Sequence, residues 1–340
     1  MKQRIPAPVI RLLTVIAIGT LLGCSPMTVK RDDPLIGKIF ASADQSEISY
    51  AALLDRATRV GVIYLGENHE NADHHRIQLE LIRDLIAKGK QPQIGFEFFS
   101  VEQTSYLMGY TTGRFPGGHG VSEKNLEVRL RHDLGWQNRE DRSWQFYFEF
   151  LKLARDRHLT VFGADLAAGT VNRIARTGID GLTPVEKALL RPTGFDSPPY
   201  KELMFEKFKA AHCGFARESH QERMYQTWLA RNDTMARSIV AMADASPDQP
   251  VVVILGGGHT EHNMGVFERV QHLRPDMRQL NLGLTEIFRE SAPLDEYLST
   301  TTIGGQTFLP AYEYLWFTQR FSYEDPCRRF KEQLKRIHDS

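Results

Sequence analysis

Strand-like and helix-like hydrophobic segments alternate along most of the chain. Short β-type apolar runs occupy 60–65, 93–99, 160–163 and 251–255, and apolar residues recur at helical spacing over 73–88, 144–157 and 264–272. Further strand-like runs lie at 279–284 and 314–318. The first two strands and the helix between them form a βαβ unit, which implies parallel pairing and a right-handed crossover. The pattern predicts a three-layer α/β/α fold with a mainly parallel sheet. A smaller helical lobe is predicted from parts of about 101–150 and 171–245.

The N-terminal segment has the pattern of an export signal. Lys2, Arg4 and Arg11 precede an apolar core at 12–22, which is too short to span a bilayer as a mature helix. That core ends in a lipobox-like run before Cys24, which predicts cleavage after residue 23 and lipidation of Cys24, for example with palmitate. Ser25 follows in place of an aspartate, so we expect an outer-membrane anchor with the protein facing the periplasm. A plain secretory signal or an uncleaved anchor is the alternative.

These features divide the chain into a signal peptide at 1–23, a polar tether at 24–44 and an α/β domain at 45–340. Lysine and arginine together number 42, as do aspartate and glutamate, so no global basic field predicts a nucleic-acid partner. Two cysteines remain after Cys24, namely Cys213 and Cys327. They could form a disulfide in an oxidising compartment or remain buried thiols, and the sequence leaves this open.

Two Gly-x-x-His runs follow two of the predicted strands. Gly66-Glu67-Asn68-His69 ends the first strand, and Gly256-Gly257-Gly258-His259 ends the strand at 251–255. Because the carboxyl ends of parallel strands border one crevice, His69 and His259 are expected to meet there despite their distance in sequence. The sequence therefore predicts a functional site at this edge of the sheet.

Carboxylates accompany the two histidines. Glu67 lies in the first run, Glu97 interrupts the apolar strand at 93–99, and Asp165 follows another strand. A buried Glu97 requires a cation or a hydrogen-bond donor, and an ion pair with Arg76 or Arg83 is the structural alternative to a functional role. Imidazole and carboxylate are ligands for Zn²⁺, Mn²⁺ or Co²⁺, and the same groups without a metal could act as acid and base.

Other histidines and aromatic residues are weaker candidates. His74 and His75 begin a predicted helix, where solvated side chains are the expected arrangement. An aromatic-rich stretch lies between Trp136 and Phe150. Helix packing explains it, although a flat apolar wall for a macrocycle is the alternative.

Several of these segments resemble the ChaN-like haem-binding lipoproteins. That family belongs to a wider superfamily with the Tiki proteases, the TraB-like proteins and the erythromycin esterases. The resemblance rests on YLGENH at 64–69, GFE at 95–97, W-x-x-Y at 144–147, NDTMA at 232–236, VILGGGH at 253–259 and YLWFT at 314–318. Together these motifs span nearly all of the chain after the predicted signal.

The resemblance implies a haem-binding lipoprotein in iron acquisition or trafficking, with a tyrosinate on the haem iron and cofacial haems across a homodimer. Tyr147 is the first candidate for that ligand because it lies in a matched segment, and Tyr106 and Tyr110 are others. The wider superfamily implies the alternative, a metal-dependent peptidase or esterase. Glu67, His69, Glu97 and His259 would then be its catalytic or metal-binding residues.

Overall fold

The computed structural model describes residues 31–114, 122–214, 217–325 and 327–328. The predicted signal peptide, Cys24 and most of the glycine-rich loop at 112–120 lie outside these residues. The strands are β1 Ile39–Ala41, β2 Ser46–Ile48, β3 Val62–Glu67, β4 Gln93–Ser100, β5 Val161–Asp165, β6 Val251–Gly256, β7 Gln279–Glu286, β8 Thr301–Ile303, β9 Gln306–Phe308 and β10 Tyr314–Thr318. The helices are α1 Tyr50–Ala57, α2 Ala72–Ala87, α3 Thr104–Thr111, α4 Glu123–Asp133, α5 Asp141–Asp156, α6 Ala168–Thr177, α7 Pro184–Leu190, α8 Pro198–Ala211, α9 Glu218–Ala245, α10 Val266–Leu273 and α11 Leu294–Tyr297.

Eight strands form one sheet in the order β2-β1-β10-β7-β3-β6-β4-β5. The six strands from β10 to β5 are parallel, and β1 and β2 extend the sheet antiparallel at one edge. Strands β3 and β6 are apolar throughout their first four residues and buried there on both faces, as a covered parallel sheet requires. The predicted α/β class with a mainly parallel sheet is confirmed.

Helices cover both faces of the sheet. On one face, Ile77, Leu81 and Leu85 of α2 pack with α5 in the largest hydrophobic cluster. On the other, Met235 and Ile239 of α9 pack with α10. The chain leaves β3 through α2 on the first face and leaves β6 through α10 on the second. Because β3 and β6 are neighbours, a crevice opens between their carboxyl ends, where ligands of open α/β sheets bind.

Two predicted boundaries differ from the structure. The polar pattern predicts that residues 39–41 belong to the tether, yet Ile39–Ala41 forms β1, which pairs with β10. A three-residue strand is too short to produce a periodic pattern. The predicted lobe also differs, because α3 and α4 contribute Leu107 and Leu126 to the main core. Smaller apolar clusters form around α6–α8, the first part of α9 and the β8–β9 hairpin, and another lies between β1, β10 and α11.

Cys213 and Cys327 form a disulfide, with their α carbons 5.5 Å apart. The bridge joins the end of α8 to the segment after β10, 114 residues further along the chain. In the part of the chain that the structure describes, no helix is both long and apolar enough to cross a membrane.

Candidate functional site

The four predicted residues Glu67, His69, Glu97 and His259 lie together at the carboxyl ends of β3, β4 and β6. The His69 ring rests beside Gly256: a methyl group built on that glycine would come within 2.8 Å of His69 Cε1 and 3.3 Å of Glu97 Oε2. His259 Nε2 lies 3.2 Å from Glu97 Oε1. Glycine at 256 is therefore needed for the close approach of the two halves of the site. The predicted convergence of the two Gly-x-x-His runs is confirmed.

Glu67 ends β3 with its side chain wholly buried on the face covered by α2 and α5. Its Oε1 accepts hydrogen bonds from Tyr147 Oη at 2.7 Å and from His69 Nδ1 at 3.1 Å, and its Oε2 accepts from Gln78 Nε2 at 2.8 Å. His75 Nδ1 lies 3.4 Å from the same Oε2. Burial favours the neutral acid, but the histidines and the Tyr147 hydroxyl outweigh it and lower the pKa of Glu67. Glu67 is thus held as a carboxylate.

His69 is the accessible member of the site, with 47% of its side chain exposed. Because Nδ1 is bonded to Glu67, Nε2 is directed away from that carboxylate. Burial of the ring opposes protonation, but Glu67 and Glu97 outweigh this and raise the pKa of His69. A histidine oriented by a buried carboxylate is the arrangement that acid–base catalysis uses.

Glu97 lies on the opposite face of the sheet and is held by Arg231 of α9. Arg231 Nη2 is 2.6 Å from Glu97 Oε1 and 2.6 Å from Asp165 Oδ2, and the Gly256 amide donates to Glu97 Oε2 at 2.5 Å. Burial alone would raise the pKa of Glu97, but His259 and Arg231 bring it well below its usual range. Burial raises the pKa of Asp165 despite Arg231. The predicted cation partners are wrong, because Arg76 pairs with residues of its own helix.

His259 is buried between Glu97 and α9. Its ring stacks on Trp228, with centroids 3.9 Å apart and planes inclined by 12°, and its Nδ1 lies 2.6 Å from Asn232 Oδ1. Contacts on both nitrogens and one ring face fix the orientation of the imidazole. His259 is consequently a rigid part of the site, whereas His69 is accessible to a ligand.

The donor set does not fit a divalent metal. The oxygens of Glu67 already accept from Tyr147, His69 and Gln78, and those of Glu97 face Arg231, His259 and the Gly256 amide. Among the described residues, no three His, Cys, Asp or Glu side chains are arranged to hold a metal ion. The guanidinium of Arg231 is the cation between the carboxylates. The predicted Mn²⁺, Co²⁺ or Zn²⁺ site is not supported.

The three tyrosines considered as haem ligands lie in different environments. Tyr147 is 2% exposed and donates its hydroxyl to Glu67, and burial together with that carboxylate raises its pKa. This geometry opposes the phenolate that an iron ligand requires. Tyr110 is fully buried, with Arg155 over its ring, whereas Tyr106 is 42% exposed. Of the three tyrosines, Tyr106 is the one whose exposure best fits a residue that coordinates haem iron.

His74 and His75 are buried, so the prediction that they are solvated is wrong. His74 accepts a hydrogen bond from the Asn68 amide at 2.9 Å and contacts Thr318 Oγ1 at 2.8 Å. Burial lowers the pKa of His74 to about 3. His75 stacks on Phe146, with ring centroids 4.3 Å apart. The loop after β3 covers the start of α2 and buries both histidines. Helical periodicity does not indicate such a tertiary contact.

Sequence reasoning did not identify Arg231, although the adjacent segment 232–236 belongs to the matched motifs. A cation was expected on α2, the helix next to Glu97 in sequence. It instead comes from α9, which packs on the other face of the sheet. The alternation of side chains along β4 indicates that Phe96 and Glu97 face opposite sides of the sheet, but it does not indicate which helix covers each side.

The fold and the site define a parallel-sheet α/β protein with a buried imidazole–carboxylate cluster at the strand ends. A family model described as "Haem-binding uptake, Tiki superfamily, ChaN" matches residues 53–270. The chain belongs to this family, and the prediction made from the motifs is confirmed.

Individual proteins are more distant. ChaN of Campylobacter jejuni, solved with cofacial haem, superimposes with a TM-score of 0.61 at 16% identity, over 82% of this chain and 95% of that one. At that identity the likeness shows the fold. An erythromycin esterase in an open conformation gives a TM-score of 0.40 at 13% identity, over 73% and 77% of the two chains. The Arabidopsis thaliana chloroplastic protein RETICULATA-RELATED 5 is 25% identical over 289 residues, which are 79% of this chain but 35% of that protein.

Proposed function

We propose that the protein binds haem and takes part in iron acquisition or trafficking at the cell envelope. The observation that carries this proposal is the match of residues 53–270 to a family described as haem-binding uptake. The fold shared with the Campylobacter jejuni protein supports it. Of Tyr106, Tyr110 and Tyr147, Tyr106 is the candidate iron ligand because it is the exposed one. When haem is bound, its iron supplies the Lewis acid that an anionic oxygen ligand satisfies.

The proposal includes export and anchoring. The lipobox-like run ending at Cys24 supports lipidation and an outer-membrane location facing the periplasm. The Cys213–Cys327 disulfide supports an oxidising compartment, because such bridges are rare in reducing cytosol. A homodimer that brings two haems face to face is part of the same proposal, from the family resemblance.

Haemin titration tests the haem proposal. Purified protein should give a saturable change in the ferric absorption spectrum, and Tyr106→Phe should alter that spectrum or weaken binding. Tyr147→Phe is the control, since it removes a buried hydroxyl bonded to Glu67 and should lower stability while leaving the spectrum unchanged. If wild-type protein shows no saturable change, haem binding is wrong; if only Tyr147→Phe alters the spectrum, the assignment of Tyr106 is wrong.

A second function is supported by one feature of the site. His69 is half exposed, while its Nδ1 is held 3.1 Å from the fully buried Glu67 carboxylate, so its Nε2 can take a proton from water or a substrate. Hydrolysis of an ester or amide is the reaction that this arrangement favours. A panel of nitrophenyl esters tests it: His69→Gln should abolish turnover, whereas His132→Gln, at a histidine with 73% of its side chain exposed, should not. Equal ester hydrolysis by His69→Gln and His132→Gln would refute this second function.

A further inference from the structure

A cleft of about 480 Å³ opens beside the polar cluster, between the carboxyl ends of β4 and β5 and the segment that precedes α5. Glu97, Asp165 and Arg231 line its inner part, and Trp136 and Arg139 line its outer part. The buried charges of the site are therefore reached from this side. Its volume is in the range of sites for small organic ligands.

The cleft lining holds two carboxylates, Glu97 and Asp165, and two guanidinium groups, Arg231 and Arg139, but only one of these cations is paired. Arg231 is bonded to both Glu97 and Asp165, so its guanidinium is already satisfied by two carboxylates. Arg139 is exposed, and its guanidinium carbon lies 4.4 Å from the centroid of the Trp136 ring. Within the ranges that the structure describes, the Arg139 guanidinium has no hydrogen bond or ion pair. Arg139 is consequently the cation at the cleft that remains available to an anionic ligand, although the four charged side chains of the lining sum to zero.

The wall beneath Arg139 is apolar. Trp136 is only 3% exposed and packs on Phe99, Trp144 and Tyr147, so its ring is held rigidly. Apolar side chains from three separate segments complete the lining, namely Phe98, Leu134, Leu166 and Val171. Stacking on a fixed indole reduces the freedom of the Arg139 guanidinium and leaves its N–H groups at the ring's edge available to a ligand.

We propose that this cleft binds an apolar molecule that carries a carboxylate, with Arg139 as the residue that recognises the carboxylate. The planar guanidinium forms two parallel hydrogen bonds with a carboxylate, and the partly exposed Phe98, Leu166 and Val171 receive the body of the ligand, while the indole holds Arg139 in place. Haem, through its propionates, and a free acyl or peptidyl carboxylate share this chemistry. The haem case rests on the proposed function, whereas the site itself does not.

Binding of a dansylated undecanoate, followed by its fluorescence, tests the site. The acid should bind wild-type protein saturably, and its methyl ester, which lacks the charge, should bind about tenfold more weakly, the ratio that about 1.4 kcal/mol produces. Arg139→Gln should weaken binding of the acid by a similar factor and leave the affinity for the ester unchanged. Arg142→Gln is the matched control, because Arg142 also lies over an aromatic ring, 5.5 Å from the Phe146 centroid, but does not line the cleft.

Equal binding of acid and ester by wild-type protein, unaltered binding of the acid by Arg139→Gln, or no saturable binding of either would overturn the proposal. Haemin as a competitor then distinguishes the two sources of the carboxylate. If haemin displaces the acid and itself loses affinity in Arg139→Gln, the natural carboxylates are haem propionates. If haemin binds without displacing an Arg139-dependent probe, the cleft takes another carboxylate. If the probe does not bind and Arg139→Gln does not change the affinity for haemin, the proposed carboxylate site is wrong, but the proposed haem function is not.

Discussion

Replacing Arg231 by glutamine should destabilise the protein strongly, because it leaves two buried carboxylates without their cation. The side chains of Glu97 and Asp165 are 7% and 9% exposed, and both lie 2.6 Å from the same guanidinium nitrogen. Removing one partner from a buried ion pair costs about 3–5 kcal/mol, since the remaining charge is desolvated and unpaired. Here two like charges remain, so we expect the loss to lie at the upper end of that range.

The loss should depend on pH. The pKa of Asp165 is already raised by burial with Arg231 present, and without Arg231 the repulsion from Glu97 should raise it further above that of the unfolded chain. The folded variant would then bind more protons than the unfolded one, so its stability should increase as the pH falls toward that pKa. Because the Asp165 carboxyl takes up a proton in the folded variant, the deficit relative to wild type should be smaller at pH about 5 than at pH about 8.

Urea unfolding at the two pH values measures this effect. Arg237→Gln is the control, since Arg237 is on the same helix and donates to the main-chain oxygen of Arg191 at an exposed position. Its replacement should change the free energy of unfolding by about 0.5 kcal/mol or less. If Arg231→Gln costs no more than Arg237→Gln, or if its deficit does not shrink at the lower pH, the proposed electrostatic role of Arg231 is wrong.

Three further changes test other parts of the structure. Gly256→Ala should displace the His69 ring, because the new methyl group would lie 2.8 Å from His69 Cε1. Ester hydrolysis should then fall at least about tenfold, while the melting temperature changes by only a few degrees. The pKa of His74 in the folded protein is lowered to about 3, so the unfolded state takes up a proton first as the pH falls, and acid destabilises the wild type. His74→Gln should therefore lose less free energy of unfolding than the wild type between pH about 6.5 and 3. A double Cys213→Ser, Cys327→Ser variant should lose about 2–4 kcal/mol in urea unfolding, and reductant should affect only the wild type.

The sheet and the meeting of the two Gly-x-x-His runs could be predicted because both depend on local patterns. Continuous apolar runs such as 251–255 indicate strands buried on both faces, and their parallel arrangement follows from the intervening helices. Once β3 and β6 are parallel neighbours, the residues after Gly66 and Gly256 must emerge at one edge. Short strands such as β1 have no periodicity to detect, since pairing with β10 stabilises them.

The partners within the site could not be predicted in the same way. Whether Glu97 faces α2 or α9 depends on which helix covers which face, and Arg231 is 134 residues away in sequence. The hydrogen bond from Tyr147 to Glu67 depends on how α5 crosses the sheet, which its amphipathic pattern does not specify. The tyrosine in a matched motif was therefore the first candidate for a haem ligand, although packing gives it a different role.

Titration of the His69 imidazole by NMR tests most directly whether the distant strand ends form one electrostatic site. The structure predicts a pKa above the ordinary value of about 6.5, because Glu67 and Glu97 both stabilise the imidazolium. Glu97→Gln should lower that pKa, since the charge of Arg231 would then be less compensated. An unperturbed His69 pKa that does not respond to Glu97→Gln would contradict the account.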